Sequence, residues 1–307
     1  MEYILQTTNL TKVYSGKEVV SKVNLHVRKG GIYGFLGPNG AGKTTVLRLV
    51  TNLVKPTAGE TSIFGKKLTP TSYEVLKKIG SVIEYPAFYE KLTARENLKI
   101  HCEYIGYYNQ EAIDWALDMV QLKDIEGKQV KDFSLGMKQR LGIARAIITK
   151  PELLILDEPL NGLDPVGIKE LRTLLKMLKE AYGITIFMSS HILGEIEQIA
   201  DTIGIIKDGR LLKEELMESV RTENIGYIEV LVDDIKKGSY VLNELMKIGN
   251  FKVLDNHTIR IYETNIPEAE ISKKLVLNDV LIQKIHRKEP SLEEYFMKII
   301  NGGLDHA

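Results

Sequence analysis

Residues 37–45, GPNGAGKTT, complete the pattern G-x-x-x-x-G-K-[ST] with Gly37, Gly42, Lys43 and Thr44. The glycines allow backbone N–H groups to turn inward around phosphate, the lysine brings a positive charge to the β- and γ-phosphates, and the threonine hydroxyl is a ligand for Mg²⁺. A predicted strand, GIYGFL, precedes this segment and a predicted helix, TTVLRLVTNL, follows it, so the helix dipole also favours an anion. The spacing predicts a nucleotide phosphate site. The other loop residues expected to contact nucleotide are Pro38, Asn39, Gly40, Ala41 and Thr45.

Two acids follow a second apolar run, LLILDEP at 153–159, which is typical of a buried strand that ends in Asp157 and Glu158. Because successive strand residues point to opposite sides, we expect the two acids to have different roles. Asp157 would hold Mg²⁺, directly or through water, and Glu158 would face the water that attacks the γ-phosphorus. The alternative is a pair of exposed acids in a turn before Pro159. With the phosphate loop upstream, the acids predict in-line phosphoryl transfer to water.

Two further segments contain candidate site residues. His191 follows the predicted strand ITIFMSS and starts a helix, where a parallel sheet presents its ligands, so it could bond the γ-phosphate or the attacking water. Taken alone, a histidine at this position is more often a cap or a surface residue. Ser134 and Gly136 lie where the segment FSLGMKQRLGIARA begins a helix, and helix N-termini bind anions. Spacing alone favours an ordinary capped helix there.

The remaining sequence predicts the elements that position these side chains. Residues 1–36 have the alternation of antiparallel strands, and residues 85–150 change to helical periodicity, which predicts a helical insertion. Strands and helices then alternate to about residue 216, which predicts a largely parallel sheet. The fold class is therefore α/β, with a mostly parallel sheet, an antiparallel β subdomain and a helical subdomain.

A second, smaller domain is predicted after residue 216. The order over residues 217–307 is strand, helix, hairpin, helix and strand, which is the β-α-β-β-α-β order of ferredoxin-like α+β modules. A chain of 307 residues with 44% hydrophobic composition also exceeds what one core usually serves. We therefore expect domains at 1–216 and 217–307.

Composition excludes several classes of protein. Lys+Arg and Asp+Glu both number 41, so no general electrostatic attraction to nucleic acid is expected. Cys102 is the only cysteine, which rules out an internal disulfide and favours a reducing compartment. The N-terminus lacks the features of a signal peptide, and no run approaches the ~20 apolar residues of a membrane span. Any membrane step would need another chain.

The order of these motifs resembles that of the ATP-binding subunits of ABC transporters, over residues 1 to about 216. GPNGAGKTT matches the Walker A loop, LLILDEP the Walker B strand, SSH the switch histidine through His191, and FSLGMKQR the family signature. NGLDP matches the D-loop through Asp164. Tyr14 falls where the family stacks an aromatic ring on adenine, although by itself Tyr14 is better read as a half-buried strand aromatic. The resemblance implies a P-loop ABC-type fold, with ATP and Mg²⁺ as cofactors.

The chain departs from the family pattern at two places. The usual L-S-G-G-Q becomes Phe133 to Met137, in which Ser134 and Gly136, the pair that resembles the phosphate contacts, are kept. Glu84 stands where the family normally has glutamine. A carboxylate there can ligate Mg²⁺ directly but adds negative charge near the phosphates, so we expect altered metal dependence or slower turnover.

Glu84, the SLGMKQR signature and the ending SLEEYFMKIINGG are similar to the subgroup that serves bacitracin resistance and lantibiotic self-protection. This resemblance implies a homodimer in which each ATP lies between Lys43 of one subunit and Ser134 of the other. It also implies a separate integral membrane subunit, with the chain held at the cytoplasmic face of the plasma membrane. The alternatives are a nucleotide-dependent regulatory or sensor ATPase without transport, and a subunit for another exported substrate.

Overall fold

The computed structural model describes residues 2–107, 109–125, 127–223, 226–263, 265–288 and 291–301. The chain forms two compact units, Met1–Met217 with Lys298–Ala307, and Glu218–Met297. Both boundaries fall within helices, and the described residues from Lys298 to Asn301 belong with the first unit. There, Lys207 Nζ donates to the carbonyl of Ile300 at 2.8 Å.

The first unit contains two sheets and the helices that connect their strands. Its strands are β1 (Tyr3–Tyr14), β2 (Lys17–Val23), β3 (His26–Arg28), β4 (Ile32–Leu36), β5 (Ala58–Ile63), β6 (Lys66–Lys67), β7 (Ile79–Val82), β8 (Leu153–Leu156), β9 (Thr185–Ser190), β10 (Thr202–Lys207) and β11 (Arg210–Leu216). Its helices are α1 (Lys43–Val50), α2 (Tyr73–Leu76), α3 (Ala94–Ile105), α4 (Gln110–Met119), α5 (Leu135–Ile147), α6 (Pro165–Tyr182) and α7 (Leu193–Glu197), and α8 (Met217–Glu223) begins at its boundary. Short 3-10 turns lie at Lys123–Ile125 and Val130–Asp132.

The antiparallel sheet has the order β2-β1-β5-β6, and β3 also pairs with β1. The run VVSKVNLHV is divided between β2 and β3 around residues 24–25. Lys22 has a positive φ of 48°, which an extended strand does not allow, and Thr7 Oγ1 accepts from the N–H of Leu25 at 2.9 Å. The sheet therefore bends at this point.

The second sheet has the order β11-β10-β4-β9-β8-β7, with parallel pairing from β10 to β7 and an antiparallel edge at β11. All described residues of β4, β8 and β9 are buried, which fits parallel strands covered on both faces. The carboxyl ends of β4, β8 and β9 lie side by side, because Leu36 pairs with Ser190 and Leu156 pairs with Met188. Side chains that follow these three strands are thereby brought to one edge of the sheet.

The helical insertion lies between β7 and β8. Helix α3 begins with a capping box, in which Thr93 Oγ1 accepts from the Glu96 N–H and the Glu96 carboxylate accepts from the Thr93 N–H. Helix α5 begins at the N-cap Ser134 and packs against β7. No helix among the described residues has both the length and the apolar character needed to span a bilayer.

The second unit contains β12 (Tyr227–Val232), α9 (Ile235–Tyr240), a π-helical turn (Val241–Leu245), β13 (Phe251–Val253), β14 (Thr258–Ile261), α10 (Glu268–Val276), β15 (Ile282–Lys288) and the start of α11 (Leu292–Ile300). Its sheet has the order β13-β14-β12-β15, and all three pairings are antiparallel. This is the strand order of a β-α-β-β-α-β module. Its core includes Ile228, Val230, Ile259, Ile271 and Leu275.

Candidate functional site

The phosphate loop, residues 37–45, runs from the end of β4 into helix α1. Two of its glycines are required by the local geometry. A Cβ on Gly37 would lie 2.4 Å from the Ile206 carbonyl oxygen, and Gly42 has a φ of 101°, a conformation that other residues rarely adopt. The backbone of this loop can therefore approach a ligand closely.

Helix α1 begins without a protein cap. Gly42 occupies the N-cap position and supplies no side-chain hydrogen bond, and the first turn contains no acidic residue. The first N–H groups of a helix have no intrahelical acceptor, and the dipole adds partial positive charge there. The chemistry of this helix end suits an anion such as phosphate. Thr44 and Thr45 lie in that first turn, and both are half-buried.

Lys43 directs its ammonium group back over the loop. The side chain is only 6% exposed, and Nζ donates to the carbonyls of Gly37 at 2.7 Å and Pro38 at 3.3 Å. The same Nζ lies 3.2 Å from Glu158 Oε1. Since a buried charge needs a partner, Glu158 balances Lys43 in this state.

Glu158 links Lys43 to His191. Its Oε2 lies 2.8 Å from His191 Nδ1, and its side chain is about one-fifth exposed. Strand alternation does not extend to this residue, because Glu158 has a φ of 46° and is not in extended backbone. His191 lies between β9 and α7 and does not itself start the helix, which begins at Leu193 after the N-cap Ile192.

Asp157 is held by Ser189 of β9, the first residue of the segment SSH, for which no role was expected. Ser189 Oγ donates to Asp157 Oδ1 at 2.6 Å and accepts from the backbone N–H of Glu158 at 2.8 Å. Ser189 is fully buried and Asp157 is 7% exposed. One hydroxyl thus holds the Asp157 carboxylate and the backbone at Glu158, and its position directly before Ser190 and His191 was the available sequence signal.

Glu84 forms an ion pair with Arg48 of α1, which was not anticipated. Glu84 has a positive φ of 63° and is exposed. It nevertheless lines a cavity of about 450 Å³ together with Asp157 and Glu158. The structure therefore brings all three predicted carboxylates to one cavity, with Glu84 paired to a cation.

The other predicted residues lie apart from this group. Ser134 is exposed and caps α5, its Oγ accepting from the Met137 N–H at 3.3 Å. A Cβ on Gly136 would meet only Leu163 Cδ2 at 3.5 Å and Ser134 Oγ at 4.0 Å, so packing within the chain does not require a glycine. Asp164 caps α6 by accepting from the Gly167 N–H at 2.9 Å.

Tyr14 ends β1 and is 41% exposed. The ammonium group of Lys12 lies 4.8 Å from the centre of its ring, a cation–π contact. Tyr14 is therefore a surface aromatic with a cation nearby, and its exposed ring area can contact a flat ligand.

The donor set fits Mg²⁺ with bound phosphate better than a metal held by protein alone. No group of three or more His, Cys, Asp or Glu side chains suited to a metal occurs in the part of the chain that the structure describes. Mg²⁺ is usually bound by one or two carboxylates, with phosphate oxygens and water completing the shell. Asp157 and Thr44 carry oxygen donors of the kind that such a site uses.

A comparison with protein families matches residues 20–161 to the ABC transporter family. The chain is 62% identical over 302 residues to YcbN of Bacillus subtilis, an uncharacterized ABC transporter ATP-binding protein, covering 98% of each chain. It is 47% identical to the bacitracin transport ATP-binding protein BcrA of Bacillus licheniformis, covering 99% of each chain. The lantibiotic transport ATP-binding protein SrtF of Streptococcus pyogenes is 45% identical, covering 69% of this chain and 90% of SrtF.

Solved structures show the same fold. A dimeric ATP-binding cassette in a post-hydrolysis state, bound to ADP and Pi, superposes with a TM-score of 0.63 at 28% identity, covering 69% of this chain and 98% of that one. Together with the phosphate loop and the paired acids, these similarities identify the chemistry of the site as nucleotide binding and hydrolysis. The chain belongs to the ATP-binding subunits of ABC transporters, which are ATPases coupled to transport.

Proposed function

We propose that this chain powers the export or clearance of a peptide antibiotic of the bacitracin or lantibiotic type, giving resistance or immunity. The observation that carries the catalytic part is the link from Lys43 through Glu158 to His191, at 3.2 Å and 2.8 Å. The substrate class is supported by the near full-length similarity to BcrA and the similarity to SrtF.

In the proposed mechanism, Glu158 accepts a proton from the attacking water and His191 orients the carboxylate through Nδ1 and Oε2. Asp157 and Thr44 would hold Mg²⁺, with Glu84 available beside them, and the metal would neutralise charge on the phosphates. Lys43 exchanges its contact with Glu158 for the phosphates when nucleotide binds. That exchange frees Glu158 to act as a base only when ATP is present.

The rest of the site would come from a second copy of the chain. Ser134 is exposed at the N-terminus of a 13-residue helix, and Gly136 has no packing reason within the chain to lack a side chain. Both features suit close approach of a phosphate from outside. We therefore propose a homodimer in which Ser134 and Gly136 of one subunit contact the ATP on Lys43 of the other, with Asp164 at the dimer contact.

The remaining contacts proposed are with adenine and with a membrane subunit. Tyr14 would stack on the adenine ring. A separate integral membrane protein would dock on the segment Glu84–Arg95, where Tyr85 and Tyr89 are 69% and 53% exposed. This partner would hold the chain at the cytoplasmic face of the plasma membrane, and nucleic acid is not part of the function.

Substitution of Glu158 by Gln tests this proposal. The amide introduced by Glu158→Gln cannot accept the proton, so ATP hydrolysis is expected to fall by about 10²–10⁴-fold, the usual contribution of a general base. ATP binding should persist, and the ATP-loaded variant should form dimers in analytical ultracentrifugation. Cells that depend on this subunit should also become sensitive to bacitracin or to a lantibiotic when they carry the variant.

Glu152→Gln is the matched control, because Glu152 precedes the opposite end of β8 and pairs with Lys78 at the surface. It should hydrolyse ATP as the parent does. Equal hydrolysis in the Glu158 variant and the parent would remove Glu158 from the role of base. Unchanged antibiotic sensitivity, with hydrolysis lost, would refute the substrate class and leave the ATPase intact.

A further inference from the structure

A cavity of about 720 Å³ in the first unit lies between α2, the edge strand β7 and the helices α3 and α5. Among the described residues that line it, none belongs to the phosphate loop, and Asp157, Glu158 and His191 are not among them either. The cavity is therefore separate from the nucleotide site. Pockets of roughly 300–1,000 Å³ can bury a drug-sized ligand, so this one has room for several side chains of another molecule.

The walls of this cavity are fixed by close packing. A Cβ on Gly80 of β7 would lie 2.1 Å from the Ala146 carbonyl oxygen, so α5 can approach the strand this closely only because the residue is glycine. Arg145, also on α5, donates from Nη1 to the Ala87 carbonyl at 2.9 Å, and its guanidinium lies 4.9 Å from the centre of the Phe88 ring. The cavity is therefore preformed, and Arg145 connects it to the segment Glu84–Arg95.

The ionisable side chains that line the cavity are basic or neutral. Lys77, His101 and Arg145 line it, and no aspartate or glutamate does so among the residues that the structure describes. Lys77 is paired with Glu74 at 2.8 Å. Arg145 is half-buried, and no carboxylate in the described ranges of the chain pairs with it. Burial lowers the pKa of Arg145, because a desolvated charge without a counter-ion is unfavourable.

The side chains around Arg145 indicate what kind of counter-ion fits. A guanidinium has five N–H donors in a planar fork that matches a carboxylate, and the only acceptor that the described residues offer it is the Ala87 carbonyl. Tyr73 and Ile105 also line the cavity, and they are 64% and 46% exposed. Aromatic residues and arginine are enriched at protein interfaces. A free inorganic anion would leave these apolar surfaces in water, whereas an apolar segment that carries a carboxylate would cover them and pair with Arg145.

We propose that this cavity binds a cytoplasmic segment of the membrane subunit, whose aspartate or glutamate pairs with Arg145 while its apolar side chains contact Tyr73 and Ile105. The inference rests on the proposed function, because it adds the chemistry of the docked segment to the docking of that subunit at Glu84–Arg95. The carboxylate of the segment supplies the counter-ion that the described residues do not give to Arg145.

Ile105→Glu and Ile105→Lys form a matched pair of variants. Both remove the same exposed apolar side chain, and they differ in the sign of the charge that they add. The probe is the integral membrane protein that gives resistance together with this chain, purified in lipid nanodiscs, and its affinity is measured by biolayer interferometry. Ile105→Glu is expected to weaken binding about tenfold more than Ile105→Lys, because only the former places a like charge beside the docked carboxylate. ATP hydrolysis by the isolated chain and its melting temperature should be the same in both variants.

Arg145→Glu tests the ion pair directly. Binding should weaken by at least about thirtyfold, the usual cost of removing one partner of a buried charge pair. Changing the partner acid of the membrane subunit to arginine should restore at least about a tenfold part of that loss. The restoration separates the ion pair from the contact with the Ala87 carbonyl, which Arg145→Glu also removes. Lys176→Glu, at an exposed lysine of α6, is the control for the change of net charge and should leave the affinity unchanged.

Equal weakening by Ile105→Glu and Ile105→Lys would show that the sign of the charge has no influence and would overturn the inference. Arg145→Glu would overturn it too if the affinity stayed unchanged, or if no reversed acid in the cytoplasmic segments restored binding. An effect of Arg145→Glu on dimerisation of the ATP-loaded chain alone would identify a second copy as the occupant, and the inference would again be wrong. A parent chain that binds no integral membrane subunit would instead refute the proposed function.

Discussion

The hydroxyl of Ser189 is expected to determine both the stability and the turnover of the site. Ser189→Ala removes the donor to Asp157 Oδ1 at 2.6 Å and the acceptor of the Glu158 N–H at 2.8 Å. A hydrogen bond to a charged group contributes about 1.5–3 kcal/mol, and a neutral one about 0.5–1.5 kcal/mol. The sum is about 2–4.5 kcal/mol. The residue is fully buried and cannot exchange these bonds for water without rearrangement.

That loss corresponds to a fall in the melting temperature of the first unit of about 4–18 °C, at about 2–4 °C per kcal/mol for a domain of this size. The Asp157 carboxylate would also lose its fixed orientation and the backbone at Glu158 its anchor, and a displacement of about 1 Å can cost about a hundredfold in rate. We therefore expect kcat to fall by about ten- to a hundredfold, with KM for ATP nearly unchanged. Scanning calorimetry and steady-state ATPase kinetics measure the two effects.

Ser190→Ala is the matched comparison. Ser190 is also buried, and among the described residues its Oγ accepts from the Ile192 N–H at 3.0 Å and makes no other hydrogen bond. It should cost about 1 kcal/mol. If Ser189→Ala damages stability and kcat no more than Ser190→Ala does, the idea that this hydroxyl holds Asp157 and the backbone of Glu158 in place is wrong.

Two further predictions concern the helical insertion. Burial, followed by repulsion from Arg145, lowers the pKa of His101 below its ordinary value of 6.5. The unfolded chain therefore binds the proton more readily, so the contribution of His101 to the free energy of unfolding is complete above about pH 6.5 and decreases as the pH falls below it. His101→Gln should reduce this pH dependence in denaturant titrations. An unchanged pH dependence would refute the assignment. Separately, Tyr85→Ser should reduce recovery of the membrane subunit in pull-downs while Tyr182→Ser, also at an exposed tyrosine, should not; equal recovery would argue against docking at Glu84–Arg95.

The sequence alone determined the features that depend on neighbouring residues. The glycines around Lys43 predicted a tight loop, which the close packing at Gly37 and the positive φ of Gly42 confirm, and the apolar run before Asp157 predicted a buried strand whose end carries acids. The element order predicted a largely parallel sheet, and the structure contains one, with its strands in the order β11-β10-β4-β9-β8-β7. These inferences succeed because periodicity and glycine conformation are local properties of the backbone.

Only the tertiary structure decided which distant side chains meet. Ser189 bonds Asp157 across 32 residues of sequence, and Arg48 pairs with Glu84 across 36. The pattern of strand alternation also failed at Glu158, because its positive φ turns the chain out of the strand towards Lys43 and His191. Such contacts depend on how strands and helices pack against one another, and packing is a property of the whole fold that no local pattern encodes.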